Sequence, residues 1–163
     1  MPIYCEIKTE NHGTLFPKCG SEQIAGRNAN KAIGEDFTLV DHYDWQAVAH
    51  DARAFENVNF SFSVNVPAHA PSAVSALNVL NSKDAIEKLT LIITDVSSTS
   101  FGNSRGDVSK VYTAEKGRLI SARLNESKNE LGVLHLKFEF ENITLDNELT
   151  NTTGEIKSSN GGY

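Results

Sequence analysis

The stretch Val58–Asn59–Phe60–Ser61–Phe62–Ser63–Val64–Asn65–Val66 decides the fold class of this chain. Apolar residues occupy every even position, and small polar residues occupy every odd position. Successive side chains of a β-strand point to opposite faces, so this period predicts a strand with one apolar face and one polar face. The same alternation recurs from Leu134 to Phe140. The sequence therefore predicts a β-protein built from two-faced strands.

Further strands are predicted along the chain by the same reasoning. We expect them at residues 3–9, 37–48, 89–96, 111–113, 118–124 and 132–144, with residues 125–130 as the hairpin loop between the last two. Asp41 interrupts the apolar face of residues 37–48, which predicts a bulge or a sheet edge near that position.

One helix is predicted, at residues 71–81. Pro71 suits the first helical position, because its missing N–H would lack a partner there anyway. Val74, Leu77 and Leu80 recur at helical spacing, and we expect this stripe to face the core, widened by Ala73 and Ala76.

These elements predict a mainly β fold, a β-barrel or sandwich of two sheets with one flanking α-helix. One domain is expected at residues 1–147. Residues 148–163 are rich in Thr, Asn, Ser and Gly, and we expect them to form a flexible C-terminal tail. A barrel or sandwich must protect its edge strands, and an unpaired edge can recruit another subunit.

Composition excludes several classes of function. The 163-residue chain carries a net charge of −6 without a cluster of Lys and Arg, which argues against nucleic-acid binding. No apolar run approaches the roughly 20 residues that a membrane crossing needs. The first residues show no basic leader followed by an apolar run, so we expect no secretory signal peptide. Without a sign of an oxidising compartment, Cys5 and Cys19 are expected to be free thiols.

The sequence suggests two sites of lesser weight. His42 and Asp44 share a strand face and, with His50, could hold a metal, although their spacing matches no standard site. His42 and Asp44 could also serve a hydrolase. Tyr43 and Trp45 could form a sugar-stacking platform, which would make the chain a small carbohydrate-binding module of the β-sandwich class. The same aromatic pair would also suit a core or a subunit interface. We predict no catalytic residue, no metal and no cofactor.

Residues 49–56 lack strand periodicity and separate two well-defined strands. A polar excursion of this kind in a compact β-domain is often an interaction element.

The order of these features resembles the haemolysin-coregulated protein (Hcp) family, the tube subunits of bacterial type VI secretion systems. The opening residues 1–8 (MPIYCEIK) resemble the first strand of the family, and residues 37–43 (FTLVDHY) resemble the strand that enters its extended loop. Residues 59–64 followed by 70–77 are similar to its strand and Pro-initiated helix. Residues 111–113, 117–123 and 136–143 resemble its closing strands.

The resemblance implies a β-barrel that assembles into hexameric rings, which stack into a hollow tube and carry or chaperone effectors. It implies self-association, contact with the sheath, spike and effector proteins, no nucleic-acid partner and no membrane insertion. It also implies a bacterial cytoplasmic protein that is exported through the type VI apparatus. The extended loop would supply the ring-stacking residues, which are His50, Asp51, Ala52, Arg53, Ala54, Phe55 and Glu56.

Overall fold

A computed structural model gives the architecture of the chain. It describes residues 3–17, 19, 23–24, 27–28, 35–49, 58–68, 70–95, 107–147 and 152–157. The elements in chain order are β1 (Ile3–Thr9), β2 (Gln23–Ile24), β3 (Arg27–Asn28), β4 (Thr38–Leu39), β5 (His42–Ala49), β6 (Val58–Pro67), α1 (Ala70–Ser82), β7 (Ala85–Asp95), β8 (Asp107–Ser127), β9 (Glu130–Asn147) and β10 (Thr152–Lys157).

Eight of the strands form one antiparallel sheet, and β2 and β3 pair separately. The sheet order is β4–β1–β7–β8–β9–β6–β5, with β10 also paired to β9. The long strand β9 has β8 along one side, while β6 and β10 occupy successive lengths of its other side. The described residues are therefore mainly β with one helix, as the sequence predicts.

The sheet curls until its two ends meet at one short segment. The backbone N–H of Val40 donates to Ile3 O of β1, and the N–H of Asp41 donates to Asn65 O of β6. Thus β4 pairs with one end of the sheet, and β5, which follows directly, pairs with the other. The irregularity predicted at Asp41 is confirmed as the point where the chain changes its pairing partner.

The core lies inside this curl and consists of the apolar faces that alternation predicts. Phe60, Phe62, Val64 and Val66 are at most 2% exposed, whereas the intervening polar residues of β6 face outward. In β9 the alternating residues Leu134, Leu136, Phe138 and Phe140 are likewise buried.

The helix is where the sequence predicts it, but it is turned differently. Its buried side consists of Ser72, Ala76 and Val79, while Val74 and Leu77 are exposed. The expected core stripe is therefore wrong for these two residues. Small side chains face the sheet because they allow the helix to pack close to it.

Two expected strands prove to be one. Residues 111–113 and 118–124 both belong to β8, which continues through Gly117. A Cβ at this position would lie only 2.5 Å from Glu139 O and would also meet the Phe140 ring. Gly117 is therefore required by a close approach between strands and does not mark a turn.

The hairpin and the C-terminal region also differ from expectation. Strands β8 and β9 continue into residues 125–130, so that only Lys128 and Asn129 form the turn. Strand β10 lies within residues 148–163, the expected tail, and pairs with β9 from Thr152 to Lys157. Ladder hydrogen bonds join backbone groups, so a segment can pair without an apolar side-chain pattern.

A polar cluster fastens the turn after β1 to the junction between α1 and β7. Asp84 accepts hydrogen bonds from the backbone N–H of Asn11 (3.0 Å) and from its side-chain amide (2.9 Å). His12 Nδ1 lies 2.7 Å from the same carboxylate. Burial by itself would raise the pKa of Asp84, but the hydrogen bonds from His12 and Asn11 outweigh it and lower the pKa.

Candidate functional site

Several described segments have a partner strand on one side only, among them the short strands β4 and β10, and two longer segments flank the four-stranded part of the sheet formed by β8, β9, β6 and β5. Strand β5 pairs with β6 and, within the described residues, with no strand on its other side. Strand β8 pairs with β9 from Lys110 to Ser127, but β7 accompanies it only as far as Arg118. We call these segments the β5 edge (residues 42–49) and the β8 edge (residues 119–127). Each presents a row of backbone donors and acceptors that can pair with another chain.

Exposed apolar side chains concentrate at the same places. In the part of the chain that the structure describes, the large apolar residues that remain exposed are Trp45, Val48, Val74, Leu77, Ile120 and Leu124. The first two belong to the β5 edge and the last two to the β8 edge, while Val74 and Leu77 lie on α1. Because α1 packs against β8, the exposed apolar surface falls on two sides of the molecule. Exposed apolar groups at an unprotected strand edge indicate an interaction surface.

The β5 edge carries Asp44 as its one acidic residue but lacks the other sequence devices that commonly blunt a strand edge. Its residues are HYDWQAVA, without Pro or Lys. The β8 edge, LISARLNES, also lacks both, although a bulge at Ile120 interrupts its register with β9. Natural edges that must avoid pairing usually carry such devices.

The aromatic residues of the β5 edge pack onto the barrel. Tyr43 stacks on Phe62 at 6.1 Å between ring centroids and lies 5.6 Å from Tyr112. Burial, with a hydrogen bond and repulsion from the Tyr112 phenol, raises the pKa of Tyr43 to about 12, so the residue stays neutral at physiological pH. Trp45 stacks on Phe60 at 5.6 Å, yet 42% of it is exposed. These contacts favour the packing and interface interpretation over a sugar platform.

The side of the sheet away from the core is polar across four adjacent strands, β5, β6, β9 and β8. Pairing places Asn65 between His42 and His135, and Arg123 beyond His135. His135 Nδ1 lies 2.7 Å from Asn65 Oδ1. The charged residues of this face balance one another, with acids at Asp44, Glu139 and Glu141 and bases at Arg118, Arg123 and Lys137. We call this surface the polar face.

The expected stacking residues lie outside the described residues. They belong to residues 50–57, which connect Ala49 and Val58, and these two residues are paired with each other at the ends of β5 and β6. The structure thus fixes where this segment leaves and rejoins the sheet. Its role in stacking stays a prediction.

The geometry gives little support to the metal-site and hydrolase hypotheses. His42 Nε2 lies 3.8 Å from Asp44 Oδ2, and both side chains are about two-thirds exposed. No group of three potential metal ligands forms among the residues that the structure describes. Cys5 and Cys19 are buried thiols that are not joined by a disulfide, as expected, and burial raises the pKa of Cys5. Within the described ranges, no helix combines the length and apolarity needed to span a membrane.

The β8 edge is the part of this site that sequence reasoning missed. Leu119, Ala122 and Leu124 share one side of β8. The bulge at Ile120 shifts the alternation by one residue, so the sequence does not show a regular period of two. Which edges remain unpaired is a property of strand order, and strand order has no local sequence signal.

Proteins of similar architecture exist among the solved structures. No family model and no curated protein matches the sequence. Solved structures do match it. The crystal structure of an Hcp protein superimposes with a TM-score of 0.77 at 13% identity, covering 96% of this chain and 99% of that chain. The secreted protein Hcp3 from Pseudomonas aeruginosa gives 0.73 at 14% identity, with the same coverage of both chains.

A third match links the fold to a secretion system. A type VI secretion system effector from Yersinia pestis superimposes with a TM-score of 0.63 at 10% identity, covering 94% of this chain and 98% of that chain. The chain therefore has the Hcp fold over nearly its whole length, which confirms the resemblance noted in the sequence at the level of the fold.

Proposed function

We propose that this chain is a structural, non-catalytic subunit of a type VI secretion tube. Its copies join edge to edge into hexameric rings, which stack into a hollow tube that carries or chaperones effectors. The Hcp fold supports this assignment. The observation that carries it is the pair of open sheet edges, each bearing exposed apolar side chains, on opposite sides of one four-stranded sheet.

The strand directions suit a closed ring. Neighbouring strands are antiparallel from β8 through β9 and β6 to β5, so β5 runs opposite to β8. When the β8 edge of one copy lies beside the β5 edge of the next, the antiparallel order continues without a break. Such a head-to-tail contact uses two different surfaces of each copy, and it gives a ring when the rotation closes.

The polar face then lines the hole of the ring. The rest of the barrel covers the core side of β8, β9, β6 and β5. The polar face is therefore the free side of these four strands. Apart from Val48, which lies opposite Asn59, this wall consists of amides, hydroxyls and balanced charges, which stay hydrated and offer a passing protein little apolar contact. Partners of the assembled tube are the sheath, spike and effector proteins of the apparatus. The protein starts in the bacterial cytoplasm and leaves through the same apparatus.

Light scattering after gel filtration, with negative-stain imaging, tests the proposal on the full chain. We expect about six chains per particle and annular images. Leu124→Glu places a charge in the joint and should shift the particles toward monomers. Lys88→Glu is the matched control, because it puts the same carboxylate on β7, which is paired on both sides.

The two possible results are distinct. Rings in the wild type and in Lys88→Glu, together with monomers in Leu124→Glu, support assembly through the edges. A wild-type protein that stays monomeric at high concentration, without annular particles, overturns the proposed function.

A further inference from the structure

The exposed side of α1 carries a continuous apolar strip. Leu77 is 63% exposed and Val74 is 57% exposed, and the half-buried Ala73 and Leu80 flank Leu77 at helical spacing. We call these four residues the outer helix strip. A single exposed Leu needs no explanation, but four neighbouring apolar residues on one helix side indicate a contact surface.

The helix lies along the β8 edge. It begins just after β6 ends at Pro67, which is paired with Val133 of β9, and Val133 is paired with Asn125 of β8. It ends just before Ala85, which is paired with Arg118. A helix of 13 residues is about 20 Å long, close to the roughly 23 Å that a strand covers from residue 118 to 125. The outer helix strip therefore borders the joint of the ring proposed above.

The helix and Trp45 lie on the same side of the sheet. Ala76 and Val79 of α1 belong to the hydrophobic core, so the helix occupies the core side. Trp45 is on the core side of β5, where it stacks on Phe60. In a joint that continues the sheet from β8 of one copy to β5 of the next, the Trp45 ring of the second copy comes next to the helix of the first.

We propose that Trp45 of one copy docks onto the outer helix strip of its neighbour. This inference rests on the proposed ring and names the contact that anchors each joint. The exposed part of the indole and the exposed Leu77 are both apolar, and within the described residues neither is covered in the single chain. Trp side chains that fill a pocket at the centre of an interface commonly dominate its affinity, and loss of such an anchor weakens binding about 30-fold or more.

Fluorescence can report this contact alone, because Trp45 is the only tryptophan of the chain. In a dilution series of the wild type, we expect the emission of the ring to lie at shorter wavelength than that of the monomer, as water leaves the indole. Leu77→Glu should weaken association about 30-fold or more and keep the emission at the monomer wavelength. Asn78→Glu is the matched control, because the neighbouring residue is exposed on the polar side of the helix.

The outcomes separate this inference from the proposed function. Rings whose Trp45 emission does not change on assembly, or rings that Leu77→Glu leaves as stable as Asn78→Glu does, overturn the docking contact and leave the tube subunit standing. A wild type that never assembles overturns both. Circular dichroism and thermal melting of the monomers check that the exposed substitutions leave the fold intact.

Discussion

At the scale of single residues, Asp84 shows how one carboxylate holds two distant parts of the chain together. Its side chain is almost completely buried, and it joins the turn at Asn11 and His12 to the start of β7. The sequence predicts the end of the first strand at residue 9 and the end of the helix at residue 81, but it does not show that the residues just after them are paired, because the partners are 72 and 73 positions apart. Contacts of this range follow from the topology of the sheet.

This cluster predicts a loss of stability in acid. The pKa of Asp84 is lower in the folded chain than in the unfolded chain, so its stabilising contribution is complete above about pH 4 and disappears as the pH falls through the folded pKa. Asp84→Asn should lower the free energy of unfolding at pH 7 by about 1–3 kcal/mol, because buried donors lose their acceptor. Urea unfolding at several pH values measures both effects.

The comparison with Asp84→Asn isolates this residue from the other carboxylates of the chain. The difference in stability between wild type and variant should shrink as the pH falls below about 4. A difference that stays constant down to pH 2 would contradict the role assigned to the ionised carboxylate.

At the scale of elements, alternation predicts strand faces well and strand connections poorly. The inward-facing and outward-facing residues of β6 and β9 could be predicted because one side of each strand faces solvent and the other lies in the core. Residues 111–113 and 118–124 look like separate strands in the sequence, but β8 continues through Gly117, which is required by the close approach of a neighbouring strand. The position of the helix was predicted correctly. Val74 and Leu77 were assigned to the core because exposed apolar residues on a helix can recur at the same spacing as core residues.

The segment between β5 and β6 supports a prediction about stacking. Phe55 is an apolar ring in an otherwise polar segment, and we predict that it becomes buried between rings. Phe55→Glu should shorten or abolish tubes while rings of normal mass persist, because the charge would have to be desolvated at the stacking contact. Negative-stain imaging gives tube length, and light scattering gives ring mass.

Lys88→Glu again serves as the control, since it introduces the same carboxylate at an exposed position of β7 and makes an even larger change in net charge. Tubes of Phe55→Glu as long as those of the control would remove Phe55 from the stacking contact. Loss of the rings themselves would assign the residue to the joint within a ring instead.

At the scale of the whole molecule, the fold class was predictable and the candidate site was only partly so. The mainly β architecture follows from the period of two and the single Pro-initiated helix. The β5 edge was partly visible, because Tyr43 and Trp45 stood out as an aromatic pair. The β8 edge was not visible, because Leu124 becomes exposed only when β7 ends at Arg118, and no local pattern in β8 marks that end.

The net charge predicts how salt acts on assembly. Each chain carries −6 at neutral pH, whereas the proposed joint consists of backbone hydrogen bonds and the apolar contacts of Trp45, Leu77 and Leu124. Bringing like-charged copies together is therefore opposed by long-range repulsion between their net charges. Screening by salt reduces this repulsion, since the Debye length falls from roughly 20 Å to below 10 Å between about 20 and 300 mM NaCl. At fixed protein concentration, the ring fraction measured by sedimentation velocity should rise over this range. A ring fraction that falls with salt would mean that charge pairs hold the joint, and it would contradict the apolar contact inferred from the exposed residues.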